Sequence, residues 1–215
     1  MTHPRLRLAI AAALATAGLT TGCQSDSGAV PLSLSGLTET ADGVPEKGTD
    51  TCPLPYDMVE AAKAVGLDAD AGPGPVRDDD EPVATAEGGK RAKAGEALAV
   101  NPGVLVSCTF HIGQDDVQVH TVATREPHAV YALAPVVSSL ASVSTKDAIS
   151  YVQKAGAAED GKVVVTDSGN VAAVHLKLDG DGDAALLVGA GEAGTASLDR
   201  KQLGDLTEAL AEQVQ

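Results

Sequence analysis

Aromatic side chains are nearly missing from this 215-residue chain: it has no tryptophan, one phenylalanine (Phe110) and three tyrosines (Tyr56, Tyr131, Tyr151). A core must therefore be built from Ala, Val and Leu, and there is little material for stacking a sugar ring. Positive charge is also scarce, with 15 Lys+Arg against 30 Asp+Glu. A surface this acidic repels phosphate backbones and anionic lipid heads, so nucleic acid is not an expected partner. Long apolar runs are absent too. Leu8–Leu19, at 12 residues, would span ~18 Å as a helix against a hydrocarbon core of ~30 Å. Cysteine is limited to Cys23, Cys52 and Cys108. None has a second cysteine or a histidine at zinc-finger spacing.

What the first residues do contain is ordered in a telling way. Arg5 and Arg7 make a short positive start, Leu8–Leu19 a short apolar middle, and Thr20, Thr21 and Gly22 a small-residue end. That is the layout of a secretory signal over residues 1–22. The competing reading, a buried N-terminal helix, fits poorly with a run that is apolar on every face. Without that segment the chain keeps 13 Lys+Arg against 30 Asp+Glu, a formal charge of −17, since only Arg5 and Arg7 leave.

The stretch "TTGCQSD", residues 20–26, resembles the lipobox of bacterial lipoproteins. Thr20 stands where that family usually has Leu, and Leu19 lies one position earlier. The resemblance implies that the Cys23 thiol receives a diacylglyceryl group and that the signal is cut before it. Often the new N-terminus is acylated as well. Two or more chains suffice for stable anchoring where one is marginal. The expected location is the extracytoplasmic face of the cell membrane, with the membrane itself as partner through Cys23. An odd cysteine in an exported chain needs an explanation. Lipidation of Cys23 supplies one and leaves a pair, for which an oxidising compartment favours a Cys52–Cys108 disulfide. Two buried free thiols are the alternative.

Residues 23–50 are rich in Ser, Gly, Thr and Asp and read as a disordered tether; "PLSLSGL" within it is apolar enough to dock as an edge strand. The folded part is expected over 51–215. "LPYDMVEAAKAVGL" carries Met58, Val59, Ala62 and Val65 at helical spacing, with Gly66 as a stop. Next comes a flexible insertion at about 68–102, with Pro73, Pro75, Pro82, an acidic run Asp78–Glu81 and a basic cluster Lys90–Lys93.

From Val104 the pattern alternates. "VLVSCTFHI" and "VQVHTVATR" read as a hairpin across "GQDD", with Cys108 pointing inward and Ile112 set opposite Val117. "EPHAVYALAPVVSSLASVS" is helical in composition but divided by Pro135, and Ser144 with Asp147 caps a further helix to Ala155. "KVVVT", "NVAAVHLKL" and "AALLVGAG" read as strands. The last helix carries Leu203, Leu206, Leu210 and Val214 on one stripe. The expected fold is a single α+β domain: a largely antiparallel sheet of about five strands with helices on one face.

"DTCPLPYDMVEAAKAVGL" followed by "VSCTF" is similar to the domain-of-unknown-function lipoproteins of high-GC Gram-positive bacteria. Those share a lipobox, a Ser/Gly/Thr linker, a cysteine opening a helix and a second cysteine in a strand. Several such families carry a second disulfide, which this chain lacks. The resemblance implies an envelope lipoprotein with no catalytic residues to transfer.

Few residues point to chemistry. "DGDGD", Asp179–Asp183, opens like a calcium loop, but Ala184 and Ala190 occupy the positions where an EF-hand needs Gly and an acid. It reads as a solvated turn. There is no G-x-S-x-G elbow, and "GAGEAG" at 189–194 has the wrong spacing for a dinucleotide fingerprint. His111, His120 and His175 share the outward parity of their strands. His111 and His120 are expected as diagonal neighbours, within reach of a shared metal, with His175 as a third ligand if its strand lies alongside. No cofactor is implied. The expected function is a non-enzymatic binding or interaction module of the envelope, taking a protein or small ligand. A metal-dependent enzyme using the histidines, or a surface protein acting through its acidic insertion, are the alternatives.

Overall fold

The computed structural model describes residues 31–45, 49, 51–74, 83–85 and 95–215, with 83–85 as backbone alone. The signal segment, Cys23 and the runs 75–82 and 86–94 of the expected insertion lie outside the described residues.

The fold is α+β, built on an open antiparallel sheet. The long strands are β3 (Gly103–Ile112), β4 (Asp115–Thr124), β6 (Val171–Leu176) and β7 (Asp183–Ala190). Three short ones join them: β1 (Ala71–Pro73), β2 (Val83–Thr85) and β5 (Val164–Val165). The order is β1-β3-β4-β7-β6-β5, with β2 also pairing β3, so the sheet has seven strands rather than about five. The two additional strands come from the 68–102 segment. They divide the outer edge of β3, β1 pairing with residues 110–112 and β2 with residues 104–106.

The β3–β4 hairpin forms with its expected parity, but Ile112 pairs with Asp115, not Val117. Gly113 has φ +60°, and a glycine at the first central position of a two-residue turn is what a type II′ connection requires. That tight turn draws Asp115 and Asp116 into the ladder.

Helices cover both faces of the sheet, which corrects the one-face expectation. On one face α1 (Leu34–Gly43), α2 (Met58–Ala64) and α6 (Arg200–Glu212) pack over Val104, Val106, Phe110, Val119, Leu186 and Val188. On the other lie α3 (Ala97–Val100), a 3-10 helix (Ala129–Leu133), α4 (Ala134–Leu140) and α5 (Thr145–Gly156), over Val122, Val171, Ala173, Ala185 and Leu187. The reason is legible in the strands. β6 and β7 are apolar at both parities, so each of their faces must be covered.

Local signals set the helix ends. Asp199 and Gln202 form a reciprocal capping box on α6, and its stripe Leu203, Leu206, Leu210 and Val214 is buried. Ser144 caps α5 through Asp147 N–H. Pro135 is the second residue of α4, within the first turn, where its missing N–H costs nothing. At the end of α2, Gly66 (φ +74°) donates to Lys63 O and Leu67 to Ala62 O, a Schellman closure. Val59, expected on the buried face of α2, is 54% exposed; Ala61 takes its place in the core.

The second correction concerns the tether. Residues 31–45 are part of the domain: Ser33 caps α1 by accepting from Gly36 N–H. Leu32, Leu37, Ala41 and Val44 are buried, and Leu32 O accepts from Asp179 N–H. The segment docks as a helix, not as an edge strand. Its apolar positions 37, 41 and 44 follow helical spacing.

Cys52 and Cys108 form a disulfide with Cα atoms 5.3 Å apart. Beside it, the buried Tyr56 hydroxyl lies 2.6 Å from Thr121 Oγ1 on β4. Together they pin the Pro53–Asp57 segment onto the sheet.

Candidate functional site

His111, His120 and His175 lie on one face of the sheet, as their parity indicates, but they do not meet. His111 pairs with Asp116, so His120 is four residues farther along its strand, a displacement of about 13 Å. His175 sits on β6, separated from β4 by β7, and two residues from the row containing His120; that is about 12 Å. The shared metal site expected of His111, His120 and His175 is not assembled. Among the described residues no group of three or more His, Cys, Asp or Glu is placed to hold a metal.

Each histidine has its own local role. His111 donates from Nδ1 to Pro73 O at 3.0 Å and has Asp70 Oδ2 3.7 Å from Nε2. It fastens β1 to the sheet edge. His120, 8% exposed, shares a 2.8 Å hydrogen bond between its Nδ1 and Ser107 Oγ. Its Nε2 is buried without a partner among the described residues. A Ser–His contact is the first link of a nucleophile–base pair, but here the chain of groups stops. Among the described residues no carboxylate is bonded to the ring, and burial pushes the imidazole down to about 4, too weak a base to activate a hydroxyl at neutral pH.

His175 Nδ1 lies 3.4 Å from Asp183 Oδ1. The Asp183 carboxylate raises the imidazole above its ordinary value against the opposing effect of burial, and Asp160 and the α5 carbonyl at Ala155 add to the rise. Burial pushes the Asp183 carboxyl up, yet hydrogen bonds from His175 and from Ala129 N–H (2.7 Å) outweigh it and hold it below the usual range. Asp183 is therefore not the last acid of a solvated turn. It opens β7 and ties the sheet to the 3-10 helix; Gly180 and Gly182 (φ +99° and +124°) make the turn before it.

These two histidines give stability a pH dependence with a definite sign. His175 takes up a proton more readily folded than unfolded, so its contribution is complete below 6.5 and is lost as pH rises through its raised value. His120 resists protonation when folded. Between 6.5 and about 4 the unfolded chain binds the extra proton, which costs on the order of 2–3 kcal/mol by the acid end. From these two groups stability should peak near pH 6.5. Urea unfolding from pH 4.5 to 8 tests this: His120→Asn should flatten the acid limb and leave the alkaline limb, which His175→Asn should flatten.

Two hollows remain. One, about 700 Å³, lies between the β3–β4 turn, α4 and the loop after β7, lined by Asp115, Asp116, Ser139, Ser142 and Glu192 among others. One of its acids is committed: Asp115 Oδ2 accepts from Ser197 N–H (2.7 Å) and Oγ–H (2.6 Å); the backbone carbonyl of Asp116 accepts from Gly191 N–H and ties the loop after β7 to β4.

The other is a groove of about 710 Å³ between α1, Pro53–Asp57 and residues 212–214. Its walls include the buried Leu32, Leu37, Leu54 and Val214. Gln213 holds two of its sides together, donating from Nε2 to Asp57 O (3.0 Å) and accepting at Oε1 from Asp57 N–H (2.8 Å). The Asp57 carboxylate also caps α2 by accepting from Glu60 N–H. Asp57, Glu60 and Glu212 bring negative charge to the groove, and its described lining contains no lysine or arginine. Sequence reasoning missed this groove, and also missed Ser107 and Asp183. The groove joins three segments far apart in the chain, and no local pattern announces it.

No family model matches this chain, and no curated protein or solved structure is significantly similar to it.

Proposed function

We propose that the protein is a lipoprotein held on the extracytoplasmic face of the cell membrane through Cys23, where it acts as a non-enzymatic binding module. The groove at the start of the described chain carries this reading. It is a concave, mostly apolar site of ligand size, eight positions after Cys23 at its first lining residue, Pro31. The Cys52–Cys108 disulfide supports export, because such bonds persist in oxidising compartments. Among the described residues His111, His120 and His175 do not form the ligand set that the metal-dependent reading needs, and no carboxylate extends the Ser107–His120 pair.

Metabolic labelling with a clickable palmitate analogue tests the anchor. The wild-type chain should carry the label and fractionate with membranes, and Cys23→Ala should lose both. Labelling that persists in Cys23→Ala, or a mature chain with an unmodified Cys23, overturns the anchored reading.

A further inference from the structure

We propose that the groove between α1, Pro53–Asp57 and residues 212–214 receives the hydrocarbon chain of a membrane lipid whose head group has no net negative charge. Three observations converge on this occupant. The first is the lining. Leu32, Leu37, Leu54 and Val214 present carbon to a space of about 710 Å³, within the range of sites that enclose a small ligand. Moving an alkyl chain from water onto such a surface is favourable by about 0.8 kcal/mol per methylene buried.

The second is place. Pro31 lines the groove and Cys23 lies eight residues before it. Eight residues reach at most about 29 Å however they are arranged, about the thickness of one hydrocarbon core. A domain anchored at Cys23 therefore cannot carry this groove far from the lipid surface. In this respect the inference rests on the anchored reading.

The third is charge. Asp57, Glu60 and Glu212 line the groove, with no lysine or arginine among its described lining residues. A carboxylate or phosphomonoester head is repelled there, whereas a head ending in an ammonium group is attracted. The same acids argue against the acidic surface of a second copy as occupant.

The test uses the full chain and a photoactivatable lysophosphatidylcholine, a single acyl chain bearing a diazirine, kept below its critical micelle concentration. This probe reaches the groove whether or not the protein is anchored, so a failed anchor and a failed groove are told apart: intact mass reports Cys23, and peptide mapping reports the crosslink. Labelling should concentrate on residues 31–40 and 53–60. Thr40, half-buried in the groove wall, supplies the variants. Thr40→Trp fills the space and should weaken labelling about tenfold, equivalent to ~1.4 kcal/mol; Thr40→Ala keeps the space open and should label as wild type. Free fatty acid with the same diazirine chain should label weakly, and Glu60→Gln with Glu212→Gln should restore it. Labelling spread over the whole surface, or unchanged in a folded Thr40→Trp, overturns the proposal. So does a dimer in sedimentation with the groove protected and unlabelled.

Discussion

Replacing Cys52 and Cys108 together by alanine should lower the unfolding free energy by about 4 kcal/mol and the melting temperature by about 8–16 °C. The two residues are 56 apart in the chain. Closing a loop of that length in the unfolded state removes chain entropy corresponding to about 4 kcal/mol at room temperature. The loop is not incidental to the fold. It contains α2, β1, β2 and α3, together with the runs 75–82 and 86–94 that lie outside the described residues. Cys108 points from the middle of β3 into the layer under α1 and α2, while Cys52 precedes Leu54 and Tyr56, both buried. The Tyr56–Thr121 hydrogen bond and the Gln213–Asp57 pair hold this segment independently of the sulfurs. The variant should therefore keep its native far-UV spectrum at low temperature and lose stability mainly through a freer unfolded chain. Thermal melts of the variant, and of wild type with and without reductant, check this. A shift below about 2 °C would mean that the linked loop costs the unfolded chain little.

Legibility of the fold varied with how local its cause is. α6 could be read almost completely, because its apolar stripe and its capping box lie within one short run, Asp199 to Val214. The β3–β4 hairpin was readable in parity but not in register: alternation fixes which face a side chain takes, whereas Gly113 fixes how many residues the turn consumes. α1 was hidden by composition. Leu37, Ala41 and Val44 are too few among Ser, Thr and Gly to stand out, and the helix gains its stability from the sheet it covers rather than from its own propensity. β1 and β2 are too short for any periodicity.

The candidate site was less legible than the fold, for a related reason. Whether His111, His120 and His175 converge depends on strand order, and placing β7 between β4 and β6 is a tertiary outcome. The groove depends on α1, Pro53–Asp57 and Gln213 being adjacent, which no single segment encodes.

Leu37→Asp should be more damaging still and should separate a docked helix from a tether outright. Leu37 is 2% exposed and packs in the same cluster as Met58, Val104 and Val106. Truncation to alanine should cost about 2–4 kcal/mol, the transfer term plus the cavity. A carboxylate in that place has no partner, and an uncompensated buried charge adds several kcal/mol. The cost cannot grow without limit, because the chain has an escape: α1 can leave the sheet. Ten residues are too short to stay helical alone, so release means loss of the helix and exposure of the apolar surface beneath it, including part of β3. The Asp variant should therefore lose helical signal, bind a hydrophobic dye and become cleavable within residues 31–45. Glu39→Ala, on the exposed side of the same helix, should change stability by less than about 0.5 kcal/mol. A tether would leave all three variants alike. A docked α1 orders them Glu39→Ala, Leu37→Ala, Leu37→Asp, and the last must also erase lipid labelling in the groove, because Leu37 is one of its walls.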